Sequence, residues 1–97
     1  MIIHTVMFSL KHPAGSAEEK SFMLTAKALA MLPMVQGLQV LRQVSEKCEY
    51  DFALSMQFAD QSAYDAYHVH PGHVTFVEKA WKSQVEKFQE ADFALYQ

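Results

Sequence analysis

Residues 37–58, GLQVLRQVSEKCEYDFALSMQF, hold two apolar runs separated by a short charged segment. In each run apolar and polar side chains alternate, which is the spacing of a strand with one buried face. The apolar sets are Leu38, Val40 and Val44 in the first run and Tyr50, Phe52, Leu54, Met56 and Phe58 in the second. Because two such runs joined by a polar turn are typical of a hairpin, we expect strands over about 37–45 and 50–58.

Upstream of this hairpin the sequence predicts a strand followed by a helix. Residues 2–10 alternate in the same way, and one face of that strand would carry Ile2, His4, Val6, Phe8 and Leu10. Ser16, followed three residues later by Glu19, forms a capping box that marks the start of a helix. Apolar residues then recur at helical spacing until Pro33, where the helix should end.

Downstream of the hairpin the sequence predicts a second helix and a last strand. Asp60 or Ser62 is a suitable N-cap, and the helix must end near Pro71 because the residue before a proline avoids the α region. Pro71 also suits the first position of a further helical segment. A strand over about 85–95 completes the order β-α-β-β-α-β. This order predicts an α+β, ferredoxin-like domain, with a four-stranded antiparallel sheet that carries its helices on one face.

The length and composition indicate one domain with apolar surface left to cover. A chain of 97 residues has room for a single hydrophobic core, so we interpret residues 1–97 as one domain. Hydrophobic residues make up 51% of the chain and charged residues only 20%. The sheet face away from the helices is too apolar for water, since it would carry Ile3, Met7, Leu41, Ala53 and Ser55. We therefore predict a homodimer that pairs two such faces into a dimeric α+β barrel.

Charge and hydropathy exclude two other classes of partner. The net charge is −3, and the eight Lys and Arg residues are scattered, so no nucleic acid partner is expected. No apolar run approaches the ~20 residues of a membrane-spanning helix, and the N-terminus has no basic n-region. A cytoplasmic protein without a membrane partner is therefore predicted. Cys48 lies among charged residues and is interpreted as a spectator thiol rather than a nucleophile.

A tyrosine and several histidines near residue 70 are the candidates for chemistry. The segment 67–73, YHVHPGH, holds three of the five histidines, and His4 lies alone on the first strand. Tyr67 and His70 are three residues apart and share a helix face, whereas His68 should point elsewhere. No carboxylate or cysteine falls at a ligand-like spacing beside these histidines, so no metal site is predicted.

Each of these residues also has a purely structural interpretation. A histidine before a proline at a helix start, as His70 is, can cap backbone N–H groups with its ring. His4 lies on the face shared with Val6 and Phe8, where a lone histidine is usually a hydrogen-bonded core residue. Tyr67 serves as a core residue as readily as a proton donor.

Four segments carry a resemblance to a known family: 4–8, HTVMF; 47–54, KCEYDFAL; 66–73, AYHVHPGH; and 92–93, DF. With these motifs the chain resembles the stress-responsive A/B barrel domain family, called Dabb, over nearly its whole length. The resemblance implies a dimeric α+β barrel with a cavity between each sheet and its helices. Members described as plant polyketide cyclases close an aromatic ring by aldol condensation. By motif, the general base would be His73, and the preceding Tyr67 would assist it.

Two functions are predicted, and the sequence leaves open whether the protein is an enzyme. The first is a dimer of the stress-response type that binds a small apolar ligand between sheet and helices. The alternative is a polyketide-cyclase-like lyase that uses no cofactor, in which His73 takes a proton from carbon and Tyr67 stabilises the enolate. The remaining residues expected to line the pocket are His4, His70, Val6, Phe8, Phe22, Phe76 and Trp81.

Overall fold

The computed structural model describes Met1–Gln97 and contains one four-stranded antiparallel sheet. Its strands are β1 (Ile2–Leu10), β2 (Gln36–Arg42), β3 (Phe52–Phe58) and β4 (Val85–Phe93). The order across the sheet is β2-β3-β1-β4, so β1 and β3 are the central strands. The predicted β-α-β-β-α-β order and the α+β, ferredoxin-like fold class are confirmed.

The connections between strands 1 and 2 and between strands 3 and 4 are helical. After β1 comes α1 (Ala17–Lys27), which continues into a 3-10 turn (Ala28–Met31). After β3 come α2 (Gln61–Val69), α3 (Pro71–Phe76), a π-helical turn (Val77–Trp81) and α4 (Lys82–Gln84). None of the helices is both long enough and apolar enough to span a bilayer.

Side-chain caps begin the first two helices. The backbone N–H of Glu19 donates to Ser16 Oγ at 3.2 Å, as the capping box predicted. The backbone N–H of Ala63 donates to Asp60 Oδ1 at 2.9 Å, so Asp60 rather than Ser62 is the N-cap of α2. A cap of this kind typically stabilises a helix by about 1 kcal/mol, because it gives a partner to an N–H group that has none inside the helix.

Three strands are shorter than the sequence predicted, and the first difference is that β3 begins at Phe52 rather than near residue 50. β2 ends three residues early, and Val44, which was expected on the buried face, is 87% exposed. The chain turns here because the side-chain amide of Gln43 donates to the carbonyl of Tyr50, outside β3, at 2.7 Å. β4 ends at Phe93 because this residue pairs with Ile3, near the start of its partner strand β1.

Phe8 lies at the centre of the hydrophobic core between the sheet and the helices. It is fully buried, and its ring centroid lies 5.6 Å from that of Phe22 on α1 and 5.1 Å from that of Trp81. A smaller cluster beside it contains Met56, Phe58, Tyr64 and Tyr67. Tilted aromatic pairs such as these each add roughly 0.5–1.5 kcal/mol beyond the burial of their surface. The two clusters together hold the helices against the central strands.

Beyond Val85, which is buried in the core, the inner face of β4 is exposed, although it is turned toward the helices. Directly paired residues of antiparallel strands share a face, and the pairs are His4 with Asp92, Val6 with Glu90, and Phe8 with Phe88. The β1 member of each pair is buried, but none of the β4 members is, and Phe88 is 51% exposed. Space therefore remains between β4 and the helical segments that precede it.

Candidate functional site

A cavity of about 720 Å³ lies between the sheet and the helical segments after β3. Its floor is formed by His4, Val6, Leu54 and Met56 of the two central strands. Its helical wall is formed by Tyr67, His68, His73, Phe76, Val77 and Trp81. The exposed side is bordered by Lys82 and by β4 residues that include Phe88 and Glu90. The volume lies within the range of roughly 300–1,000 Å³ that is usual for small-molecule sites.

His73 enters the cavity from the first turn of α3. This turn begins at Pro71, which breaks the chain away from α2 and starts a new helix axis. His73 Nδ1 lies 3.2 Å from the carbonyl oxygen of His68, which is near the end of α2 and accepts no hydrogen bond from a following helical turn. Because a carbonyl oxygen only accepts, Nδ1 carries the proton, and Nε2 is the nitrogen with the free lone pair.

Burial lowers the pKa of His73 below its ordinary value of 6.5. The neighbouring His68 and His4 act in the same direction, whereas the bond to the His68 carbonyl and the charge of Glu90 oppose them. The imidazole is therefore neutral near neutral pH. A neutral ring with a free Nε2 in a cavity is the form that accepts a proton from a bound molecule.

Tyr67 packs directly against His73 in the same wall. The two ring centroids are 4.2 Å apart, and the Tyr67 ring also lies 5.0 Å from that of Phe58. No buried side-chain oxygen or nitrogen lacks a partner, and the Tyr67 hydroxyl makes no hydrogen bond within the chain, so it faces open space in the cavity. Burial raises the pKa of Tyr67, with a further contribution from Glu90, so the hydroxyl stays protonated and is a hydrogen-bond donor.

His4 belongs to a hydrogen-bonded group at the floor of the cavity. Its Nδ1 lies 2.6 Å from Asp92 Oδ1, and the hydroxyl of Tyr64 donates to Asp92 Oδ2 at 2.9 Å. The Tyr64 oxygen also lies 2.9 Å from His4 Nδ1. His4 is thus a buried, hydrogen-bonded residue and a cavity-lining residue at once. The sequence interpretation assigned no role to Tyr64, and it used Asp92 only as part of the family motif.

His70 does not line the cavity, although it was expected to. Its Nδ1 accepts the backbone N–H of Gly72 at 2.9 Å, so the ring turns back to cap α3. His70 precedes a proline, so its backbone is extended and the residue lies outside both helices. This backbone conformation holds the ring in the capping position. The structural interpretation of His70 is therefore the one that the geometry matches.

Phe8 and Phe22 were also expected in the pocket and lie instead in the closed core. Their rings pack on each other with centroids 5.6 Å apart, and neither side chain reaches the cavity surface. Phe76 and Trp81 belong to the core and to the cavity wall together. The aromatic residues thus fill only part of the space under the helices, because β4 is not covered.

His68, which was expected to point elsewhere, lies in the cavity wall. The argument from helical spacing failed because α2 ends at Val69, so His68 and His70 are not on one continuous helix. His68 instead follows Tyr64 by one helical turn, and the two ring centroids are 4.3 Å apart. Although three histidines line the cavity, no three His, Cys, Asp or Glu side chains are grouped as a metal site requires.

Fold and cavity together define a ferredoxin-like α+β domain with a pocket of small-molecule size between its sheet and helices. Residues 2–95 match the family described as the stress responsive A/B barrel domain, Dabb. The chain belongs to this family, as its sequence motifs predicted.

Three solved structures show the range of proteins to which the chain is similar. A Dabb family protein from Mesorhizobium loti with a ferredoxin-like fold is 47% identical, with a TM-score of 0.96 over 99% of this chain and 97% of that one. A dimeric ferredoxin-like protein of unknown function from Thermobifida fusca is 19% identical, with a TM-score of 0.80 over 97% and 90%. Hydroxynitrile lyase from Passiflora edulis is 12% identical, with a TM-score of 0.83 over 99% and 94%. The last two identities are low and show a shared fold alone. No curated protein matches the sequence.

The pKa of His73 leads to a prediction on pH dependence. We expect its ring to titrate with a midpoint below 6.5, because burial disfavours the imidazolium ion. Proton NMR of the ring signals measures the midpoint, with the same signals in urea-unfolded protein as the reference. Because the unfolded chain then takes up this proton at a higher pH than the folded chain, stability falls as the pH drops below 6.5. His73→Gln should reduce that fall, and a folded-state midpoint at or above the unfolded one would contradict the prediction.

Proposed function

We propose that the cavity binds a small, mostly apolar carbonyl compound. The observation that carries this proposal is the cavity itself, in which most lining residues are hydrophobic and a few polar groups converge. Sites of this composition bury the apolar body of a ligand and orient it through a small number of hydrogen bonds. A carbonyl oxygen suits the site because the protonated Tyr67 hydroxyl is a free donor. The description of the family as stress responsive supports a role of this binding in a stress response.

The aromatic side of the cavity is the natural place for the apolar part of such a ligand. Trp81 and Phe88 meet edge to face there, with centroids 5.5 Å apart. Phe88 is half exposed, so a ligand packed against it removes apolar surface from water. Burial of this kind contributes about 25 cal/mol per Å².

A second candidate is a cofactor-free lyase that acts on the same class of compound. The observation that favours it is the packing of His73 on Tyr67, which brings a ring with a proton-accepting nitrogen against a ring that carries a proton-donating hydroxyl. His73 Nε2 would take a proton from the carbon next to the carbonyl group. The electron pair of that bond would move toward the carbonyl oxygen, and the Tyr67 hydroxyl would donate to the enolate as its charge develops.

The size of these effects limits the substrates that the lyase candidate would accept. General acid–base catalysis by one group contributes roughly 10²–10⁴-fold, which suffices for carbon acidified by a carbonyl group. The shared fold of a hydroxynitrile lyase supports the candidate only in that this fold accommodates lyase chemistry in another protein.

We also infer that a second copy of the chain covers the outer face of the sheet, opposite the helices. Ile3, Met7, Ala53 and Ser55 are only half buried there. Leu41 on the same face is 40% exposed and Phe93 is 54% exposed. A contiguous apolar face of this kind is usually an interface. The dimeric Thermobifida fusca protein of the same fold supports this inference.

The binding proposal is tested with the fluorescence of Trp81, the single tryptophan of the chain, which lies in the cavity wall. We expect saturable quenching or enhancement with aromatic ketones such as phenylacetone. Val77→Phe, which fills the cavity, should abolish the signal, whereas Val44→Phe, at a residue 87% exposed and remote from the cavity, should retain it. Circular dichroism checks that both variants fold. Equal binding by the two variants, or no saturable response to any ketone, would sink the proposal.

The lyase candidate is tested by the rate at which phenylacetone takes up deuterium from heavy water next to its carbonyl group, followed by proton NMR. We expect the wild-type protein to accelerate this exchange. His73→Gln should lower the protein-dependent rate by about 10²-fold or more, and Tyr67→Phe should also lower it. His12→Gln is the matched control, because His12 contacts Gln84 and lies outside the cavity. If His12→Gln and His73→Gln lower the rate equally, the assignment of His73 is wrong.

The dimer is tested by multi-angle light scattering at micromolar concentration. We expect twice the chain mass of 11.1 kDa. A charge in the outer sheet face, Met7→Asp or Leu41→Asp, should shift the mass to that of a single chain, because an unpaired carboxylate cannot be buried cheaply. Val69→Asp, at an exposed apolar residue on α2, should leave the dimer intact. A monomeric wild type, or a dimer broken only by Val69→Asp, would refute the proposed interface.

A further inference from the structure

The His4 group at the cavity floor is not used by the function proposed above. Asp92 brings a carboxylate to within 2.6 Å of His4 Nδ1, and Tyr64 donates its hydroxyl to the same carboxylate. The three side chains come from three elements, since His4 is on β1, Tyr64 on α2 and Asp92 on β4. A histidine between a carboxylate and a cavity is an arrangement that serves proton transfer in many enzymes.

The hydrogen bonds determine which nitrogen of His4 faces the cavity. A carboxylate only accepts hydrogen bonds, so the proton between His4 and Asp92 is on Nδ1. Nε2 makes no hydrogen bond within the chain, and no buried side-chain nitrogen of the protein lacks a partner. Nε2 therefore lies at the surface of the cavity that His4 lines. Nε2 is the nitrogen that accepts a proton when His4 acts as a base, and it is the one that donates a proton when His4 acts as an acid.

Tyr64 holds the carboxylate in place. Its hydroxyl lies within 3.0 Å of both oxygens of Asp92, so the carboxylate plane cannot turn away from His4 without losing a bond. Burial raises the pKa of Tyr64, and the bond to Asp92 and its charge raise it further, so this hydroxyl remains a donor. The Asp92 side chain itself is 43% exposed, and it needs such a restraint to keep one orientation.

We propose that Asp92 and Tyr64 are positioning residues that make His4 a second proton-transfer group of the cavity, acting together with His73. His4 reaches the ligand from the sheet, and His73 reaches it from the helices. This inference rests on the lyase candidate, and the cleavage of a β-hydroxy ketone is a suitable test reaction for two proton-transfer groups in one cavity. In such a reaction one group can remove a proton from oxygen while a second group delivers a proton to carbon.

In the cleavage direction, the atoms and electrons balance as follows. One imidazole removes the hydroxyl proton of the β-hydroxy ketone, and the oxygen electron pair forms the new carbonyl bond. The carbon–carbon bond breaks, and its electron pair becomes that of an enolate. The other imidazole, protonated beforehand, delivers its proton to the enolate carbon. The two rings have then exchanged protonation states and return to the start by proton exchange with water at the open side of the cavity.

Several titratable groups surround His4, and a test must separate their effects. Tyr64 contacts it from α2 and Asp92 from β4. His68, His73 and Glu90 line the same cavity. The paired β3 residue, Met56, does not titrate. Glu90 is the matched control for Asp92, because it is a carboxylate two residues away on the same face of the same strand.

The first measurement is nitrogen-15 NMR of the His4 ring, which reports the position of its proton without any substrate. We expect the Nδ1–H form in the wild type and in Glu90→Gln. Asp92→Asn should shift the ring toward the Nε2–H form, because an amide in place of the carboxylate of a histidine pair favours the wrong tautomer. Tyr64→Phe should leave the tautomer mixed. A wild type in the Nε2–H form, or an Asp92→Asn variant with an unchanged ring, would overturn the proposal.

The second measurement compares two reactions in the same variants. Phenylacetone exchange can be completed by one imidazole, which removes the proton, exchanges it with heavy water and returns a deuteron to the same carbon. Cleavage of the aldol of acetone and benzaldehyde removes a proton from oxygen and delivers one to a different atom, a carbon, and two imidazoles on opposite walls of the cavity can share these steps. Asp92→Asn should reduce both rates, and the fold-reduction of cleavage should be at least about ten times that of exchange. The reason is that one positioned acid–base group contributes about 10²-fold or more. Equal losses in both reactions, with exchange intact in the wild type, would overturn this proposal alone. If the wild type catalyses neither reaction, the lyase candidate fails and the role of His4 fails with it.

Discussion

The antiparallel pairing of β1 with β4 joins the two ends of the chain, and the rest of the structure depends on it. It places Asp92 beside His4, a residue 88 positions away, and Phe88 beside Phe8. β1 is central and carries the core on its inner face, whereas β4 is an edge strand that is exposed beyond Val85. The pairing of β1 with β4 therefore has two effects: it fixes the strand that carries the core, and it places an exposed strand along the open side of the cavity.

Much of this fold follows from local sequence signals. Alternating side chains predicted the first three strands. Ser16, Asp60 and Pro71 marked three helix starts, because each supplies or dispenses with a backbone hydrogen bond. The predicted strand ends were less accurate at Val44 and at the chain terminus. There, the end of a strand depends on what lies opposite, such as the Gln43 bond to the Tyr50 carbonyl, which no local pattern indicates.

The candidate site was predicted only where its residues follow one another in the sequence. Tyr67 and His73 lie in one short segment, and the family motif included them. Asp92 and Tyr64 meet His4 through strand register and helix packing, and neither is visible to reasoning that follows the chain locally. His68 lines the cavity and His70 does not, which is the reverse of the prediction. The reason is that Pro71, between the two helices, changes the direction of the chain at a single residue.

Phe76 and Trp81 belong to the hydrophobic core and to the cavity wall, and this double membership restricts how the family can diversify. Any change that reshapes the pocket on that side also alters the packing of Phe22, whose ring lies 5.8 Å from that of Phe76. Phe88 and Glu90, in contrast, line the pocket without supporting the core. Substitutions on β4 therefore change the ligand preference with the smallest loss of stability. A comparison of family members should find the pocket most variable along that strand.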